Sequence, residues 1–167
     1  MFEDEKQQIF ENRLLVKLPD SFEALEPEKI EKMFPYQDRP QLIMGNGDVS
    51  RFCTFSLIRN QSLGSAQVKK AIKTMFQVIT SLYPSSQLCE PEVQKLKHMT
   101  CGWFEFQTIG DAGNIHNFMY IVPVQGMMML GTLGCLMGDE EGEKQMGEIM
   151  QSLELPEKRR GFSGGRL

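Results

Sequence analysis

The residues of this sequence that could do chemistry are few and widely spaced. Four cysteines stand at positions 53, 89, 101 and 135 without a Cys-x-x-Cys pair, and the only histidines are His98 and His116. These spacings fit no zinc-binding pattern. A catalytic thiol would need Cys53 or Cys101 beside a histidine, and only the fold could bring such a pair together. We therefore expect no metal, no cofactor and no catalytic residue, and buried, reduced cysteines.

One carboxylate is placed unusually. Glu105 alternates between Trp103 and Gln107 in an aromatic stretch. A half-buried carboxylate at this position would have a raised pKa, whereas a solvated position at a sheet edge is the commoner case. A cleft that joined Glu105, His98 or His116 and a cysteine would favour the alternative hypothesis, an enzyme or small-molecule-binding protein with an unrecognised site.

Charge and glycine spacing argue against phosphate ligands and nucleic acid. The chain has 18 basic and 22 acidic residues, a net charge of −4, and so offers no basic face overall. Residues 131–138 contain three glycines, but their spacing matches neither the dinucleotide-binding motif nor the P-loop motif. The helix expected after them begins with Asp139, Glu140 and Glu141, which would repel a phosphate.

An uncharged segment covers residues 112–138, and within it residues 118–137 are long enough to cross a bilayer as a helix. Pro123, Gly126, Gly131 and Gly134 interrupt this segment, however, so two buried strands are the better interpretation. The N-terminal sequence MFEDEKQQIF is acidic, unlike a secretory signal. We expect a soluble cytoplasmic protein without a membrane span.

Helical periodicity is clearest at residues 65–83. Ser65 can cap the first turn, and Pro84 stops the helix. Apolar residues recur there at three- and four-residue steps, namely Val68, Ala71, Ile72, Met75, Ile79 and Leu82. One face of this helix must therefore lie on a sheet. A second amphipathic helix is predicted at residues 139–153, and a short one between Pro27 and Pro35.

Strand signals occupy most of the remaining chain, while residues 1–11 read as a frayed or helical lead-in. Strands are predicted at residues 13–18, 41–44, 49–58, 88–99, 100–108, 116–122 and 127–135. Asn46-Gly47 predicts a hairpin, and the last four strands form an antiparallel meander. Because the last strands are apolar on both faces, we predict an α+β fold with helices on both faces of an antiparallel sheet. We expect one domain over residues 1–156 and a disordered tail over 157–167.

Several short motifs in this order resemble those of the PsbP-like superfamily. They are the Leu-Pro-Asp-Ser-Phe turn at residues 18–22, the short helix ending at Phe34-Pro35, Arg39-Pro40 before a strand, and the long helix before a meander. The resemblance covers residues 12–155. The superfamily includes an extrinsic photosystem II subunit, the Ran-binding Mog protein, DcrB-like proteins and effector chaperones of type VI secretion. It implies α/β/α layers and a partner-binding module, and it supplies no site residues.

Methionine is over-represented, with 12 in 167 residues. Flexible methionine side chains fill irregular cores and also line adaptable binding surfaces. We predict that a hydrophobic surface for an apolar segment of a partner protein is bordered by Met119, Tyr120, Met127, Met128 and Met129. The predicted function is that of a non-enzymatic, chaperone-like adaptor. The sequence leaves open which sheet face is exposed and whether the protein forms a homodimer.

Overall fold

The computed structural model describes residues 6–34, 39–110 and 113–156. Nine strands and three α-helices lie within these ranges. In chain order they are β1 (Gln7–Ile9), β2 (Leu14–Val16), β3 (Glu23–Ala24), α1 (Pro27–Met33), β4 (Leu42–Gly45), β5 (Arg51–Ser62), α2 (Val68–Leu82), β6 (Gln87–Leu96), β7 (Met99–Gly110), β8 (Gly113–Val124), β9 (Met127–Leu136) and α3 (Glu140–Gln151).

Seven strands form one antiparallel sheet in the order β3-β4-β5-β9-β8-β7-β6, and β1 and β2 form a separate hairpin. The run from β6 to β9 is the predicted meander. The meander joins the N-terminal half of the chain where β9 pairs with β5, Thr132 lying opposite Thr54. The α+β class and the antiparallel sheet are confirmed.

One face of the sheet is covered by α3 and the β1–β2 hairpin. Met146 and Ile149 of α3, with Leu14 of the hairpin, pack on fully buried sheet residues such as Tyr120 and Met129. The helix is fixed at its start by Asp139, whose carboxylate accepts the Gly142 N–H at 3.0 Å and pairs with Arg51 at 2.9 Å. This helix is the predicted cover for the second apolar face.

The opposite face carries α2. A Cβ at Gly102 of β7 would lie 2.9 Å from the Cβ of Ile72, so the absence of a side chain lets the helix approach the sheet closely. Val68, Ile72 and Ile79 are buried there with Phe104 and other residues of the sheet. The helix contacts β6, β7 and β8. Helices therefore lie on both sheet faces, as predicted, but α2 is too narrow to cover the whole width of its face.

The N-terminal lead-in differs from the prediction because β1 replaces the expected frayed or helical segment. Ile9 is buried and lies opposite Leu14, so a single apolar residue anchors an otherwise polar strand. The turn is made by three non-glycine residues with positive φ, Phe10, Glu11 and Asn12. Such a turn has no glycine or proline signal in the sequence. Residues 157–167, the expected tail, lie outside the described residues.

Among the described residues, no helix is both long and apolar enough to span a membrane. The uncharged segment that raised this question forms β8 and β9, two neighbouring central strands of the sheet.

Candidate functional site

Two of the titratable residues considered from the sequence, Glu105 and His116, meet on the α3 side of the sheet. His116 of β8 places its Nε2 atom 2.8 Å from Oε1 of Glu105 on β7, and its Nδ1 atom 3.0 Å from Oε2 of Glu143 on α3. We call Glu105, His116 and Glu143 the His116 cluster. Since the contact spans two strands and a helix, only the tertiary fold creates it.

The electrostatics of the cluster favour a charged imidazole. The hydrogen bond that His116 donates to Glu105 raises the pKa of His116 above its usual value, burial opposes this, and the hydrogen bond donated to Glu143 adds to the increase. The ring also stacks on Phe118, with centroids 4.6 Å apart and planes 9° apart. An imidazolium can donate from both ring nitrogens, and so it links α3 to the sheet through two ionic hydrogen bonds.

The cysteines do not complete a nucleophilic site. Cys89 lies opposite Glu105 in the β6–β7 pairing, and burial together with the nearby carboxylates raises its pKa. Burial raises the pKa of Cys53, Cys101 and Cys135 to about 12. These groups are therefore thiols at neutral pH, whereas a nucleophile requires the thiolate. Cys53, Cys101 and Cys135 are buried, as expected, whereas Cys89 is only partly buried.

His98, the other histidine considered from the sequence, lies apart from this cluster. His98 is in the turn between β6 and β7, is exposed, and has a φ of 67°. Within residues 6–34, 39–110 and 113–156, no group of three or more His, Cys, Asp and Glu side chains is arranged to hold a metal ion. The cluster thus brings Glu105 and His116 together without an activated nucleophile, and its clearest role is to hold α3.

The five residues predicted to border a partner surface are divided between the two faces. Tyr120 and Met129 are fully buried on the α3 side, and Met127 packs against the same core. Tyr120 lies over Gly131, and its hydroxyl has no hydrogen-bond partner among the described residues. Met119 and Met128 are partly exposed on the α2 side. A partner cannot reach Tyr120 or Met129 in this fold. The predicted partner surface is therefore restricted to its residues on the α2 side, Met119 and Met128.

Partly exposed apolar side chains continue from these two methionines across the sheet. Met128 lies opposite Ile58, and Leu130 follows on the same face of β9. Beside this floor stands one flank of α2, on which Ala71 and Met75 pack against the same cluster as Met119, Met128 and Leu130. We call the combined surface the apolar groove; its floor is Ile58, Met119, Met128 and Leu130, and its wall is Ala71, Met75, Val78 and Leu82.

The outer part of the wall is well exposed. Val78 is 47% and Leu82 is 65% exposed. Steps of four, three and four residues from Ala71 place all four wall residues on one side of the helix. The apolar periodicity predicts Ala71, Met75 and Leu82 in the buried stripe; Leu82 is exposed instead, and Val78 is not part of that pattern. The sequence does indicate this exposure, because the apolar face of α2 is wider than the face that one helix can bury against a flat sheet.

Comparisons with solved structures identify the fold. The solution structure of the cyanobacterial PsbP protein (CyanoP) of Synechocystis matches 91% of this chain and 92% of its own, with a TM-score of 0.60 and 8% identity. A crystal structure from Bacteroides thetaiotaomicron matches 96% of this chain, with a TM-score of 0.56 and 10% identity, and this chain spans 50% of that protein's length. The PsbP-like fold predicted from the sequence motifs is thus confirmed.

Sequence comparisons add nothing to this. No protein-family model matches the chain, and no curated protein matches it by sequence. At identities this low, structural likeness establishes the fold, and function has to be argued from the site itself.

Proposed function

We propose that this protein is a cytoplasmic, non-enzymatic adaptor that receives an apolar segment of a partner protein in the apolar groove. The observation that carries the proposal is the partly covered sheet face. Because α2 contacts β6, β7 and β8, apolar side chains on β5, β8 and β9 stay partly exposed beside its flank. Contiguous exposed apolar surface of this kind marks interaction sites.

The conformation of the bound segment follows from hydrogen bonding. The strands β8 and β9, which carry three of the four floor residues, are paired on both sides, so they present side chains and no free backbone groups. An extended segment laid on this floor would bury backbone N–H and C=O groups without partners, which is costly. A helix satisfies its own backbone. We therefore expect an amphipathic helix lying beside α2.

The edge strand β6 is a poorer alternative site for an extended segment. Pro91 removes one donor from β6, and the pairing with β7 is irregular between Cys89 and Glu92. Exposed charges at Glu90, Glu92 and Lys95 accompany these irregularities. Such features discourage strand addition, and this supports binding to the sheet face.

The character of the groove also indicates its partner. Three of its eight side chains are methionines, which adapt to differently shaped apolar surfaces. The outer surface of α2 carries exposed Lys69, Lys70 and Lys73, and the helix has no acidic residue. The helical spacing places these lysines on the side of α2 away from the wall, so the groove itself carries no charged side chain. A chaperone-like role, in which the groove shields an apolar segment of another protein, fits this chemistry.

The test compares aspartate substitutions at exposed and buried positions. Leu82→Asp and Met128→Asp should leave the protein folded and weaken partner binding at least tenfold, because a buried unpaired carboxylate at the interface costs about 1.4 kcal/mol or more. Met129→Asp should unfold the protein, because Met129 is fully buried. Ile109→Asp is the matched control, since Ile109 is 90% exposed and lies outside the groove.

The partner is identified first, by a photo-cross-linking amino acid at position 82 in native cells. Its cross-linked segment is then synthesised, and its affinity is measured by calorimetry against the wild type and the variants. Equal binding by Leu82→Asp and the wild type would contradict the proposal, as would a loss confined to Ile109→Asp. If the cross-linked product is a second copy of this chain, the groove is a homodimer interface and the adaptor function is wrong.

A further inference from the structure

We propose that a basic pocket, on the side of the molecule opposite the apolar groove, binds an oxyanion. The oxyanion is the phosphate or carboxylate group of a ligand. This pocket is an open depression of about 610 Å³, lined by Lys6, Gln8, Leu15, Lys17, Lys97 and Glu154. These residues come from the β1–β2 hairpin and the positions directly before and after it, from the β6–β7 turn and from the segment after α3. The pocket is therefore assembled by tertiary packing, and it is independent of the apolar groove.

Glu154 fixes the geometry of the pocket. Its backbone is held by two hydrogen bonds to Leu15, with N–O distances of 2.8 and 3.0 Å. Its carboxylate, largely buried, accepts from Nζ of Lys6 at 2.7 Å and from Nζ of Lys97 at 3.2 Å. An anchored carboxylate thus positions two ammonium groups whose residues are far apart in the sequence. Such pre-organisation lowers the entropic cost of binding an anion.

The charge balance of the pocket is positive. Hydrogen bonds from Lys6 and Lys97 lower the pKa of Glu154, so this carboxylate stays ionised near neutral pH. Three lysines and one glutamate leave two net positive charges, in a chain whose net charge is −4. Lys17 makes no ion pair with any described residue, and each ammonium has three donors. Lys17 and Lys97 can therefore donate to an added oxyanion.

Phosphate and carboxylate share this chemistry, and the experiment separates them. The full chain is titrated with sodium phosphate and, separately, with sodium citrate, at an ionic strength held constant with chloride. The readout is the nuclear magnetic resonance shift of the Leu15 amide and the lysine Nζ groups. We expect saturable binding with a Kd of about 1–10 mM, as suits a solvent-exposed charged site. The anion that binds more tightly identifies the ligand class.

Three variants make the assignment specific. Lys17→Gln and Lys97→Gln should each weaken binding at least fivefold, while Lys70→Gln, on the exposed surface of α2, should leave it unchanged. Thermal melting checks that all three stay folded. Shifts that fail to saturate with either anion would overturn the proposal, and so would an equal loss in Lys70→Gln, which would indicate non-specific attraction to lysine.

Discussion

Replacing Gly131 by alanine is expected to lower the free energy of unfolding by about 3 kcal/mol. A Cβ at this position would overlap Cζ and the hydroxyl oxygen of Tyr120. Tyr120 is fully buried, and the residue opposite Gly131 on β5 is Phe55, which is also fully buried. Because neither ring can move into solvent, the added methyl group forces strain into a close-packed core.

The matched control is Gly147→Ala. Gly147 lies in α3, and a Cβ there has no atom within 4 Å, so alanine should raise stability by up to about 1 kcal/mol through helix propensity. Equilibrium unfolding in urea measures both changes. The double variant Tyr120→Leu, Gly131→Ala should recover part of the loss if the clash is with the ring. A Gly131→Ala protein as stable as the wild type would show that Tyr120 does not rest on Gly131.

The second large effect is a loss of stability as the pH rises, caused by the His116 cluster. The folded-state pKa of His116 is raised above 6.5, chiefly by Glu105. Its ion pairs therefore contribute fully below pH 6.5 and are lost as the pH rises through the folded-state pKa. His116→Gln should cost about 2 kcal/mol at pH 6, a value discounted because Glu105 and Glu143 are partly exposed.

The measurement is the unfolding free energy of the wild type and His116→Gln from pH 6 to pH 9. The two should converge at the upper end, where the histidine is neutral. Other groups near this cluster are Asp139 at the start of α3, Arg51 of β5, and the thiols of Cys89 on β6 and Cys135 on β9. His98→Asn is the control, because asparagine tolerates the positive φ of that turn and His98 lies outside the cluster. An unchanged difference between wild type and His116→Gln at all pH values would contradict the assignment.

Much of the fold could be predicted because the local periodicity of apolar residues indicates which segments are helices and which are strands. The stripe on α2 and the alternation along β8 and β9 identify a helix-covered sheet. Pairings between distant segments could not be predicted. Phe55 lies opposite Gly131 because β5 inserts beside β9, and nothing near either residue encodes that neighbour. The same applies to the contact of His116 with Glu143, which depends on how α3 lies across the sheet.

The predicted partner residues illustrate the limit for the site. The alternation of side chains along a strand predicts that Met128 and Met129 point to opposite faces of the sheet. It does not predict which of the two faces is completely covered. The structure answers this through the widths of the covering elements. The α3 side also carries the β1–β2 hairpin, a cover that the polar sequence around Ile9 did not indicate. With that side closed, Met129 belongs to the core, and Met128 is partly exposed in the apolar groove.

The central claim, that a partner helix binds in the apolar groove, is tested most directly by the methionine methyl groups. Protein labelled with carbon-13 in these methyls is titrated with the purified partner segment and followed by nuclear magnetic resonance. Met75, Met119 and Met128 line the groove, whereas Met129 and Met146 are fully buried on the α3 side. The account predicts saturable shifts of the first three with little change in the last two. Shifts confined to Met129 and Met146, or saturable binding that leaves Met75, Met119 and Met128 unmoved, would contradict it.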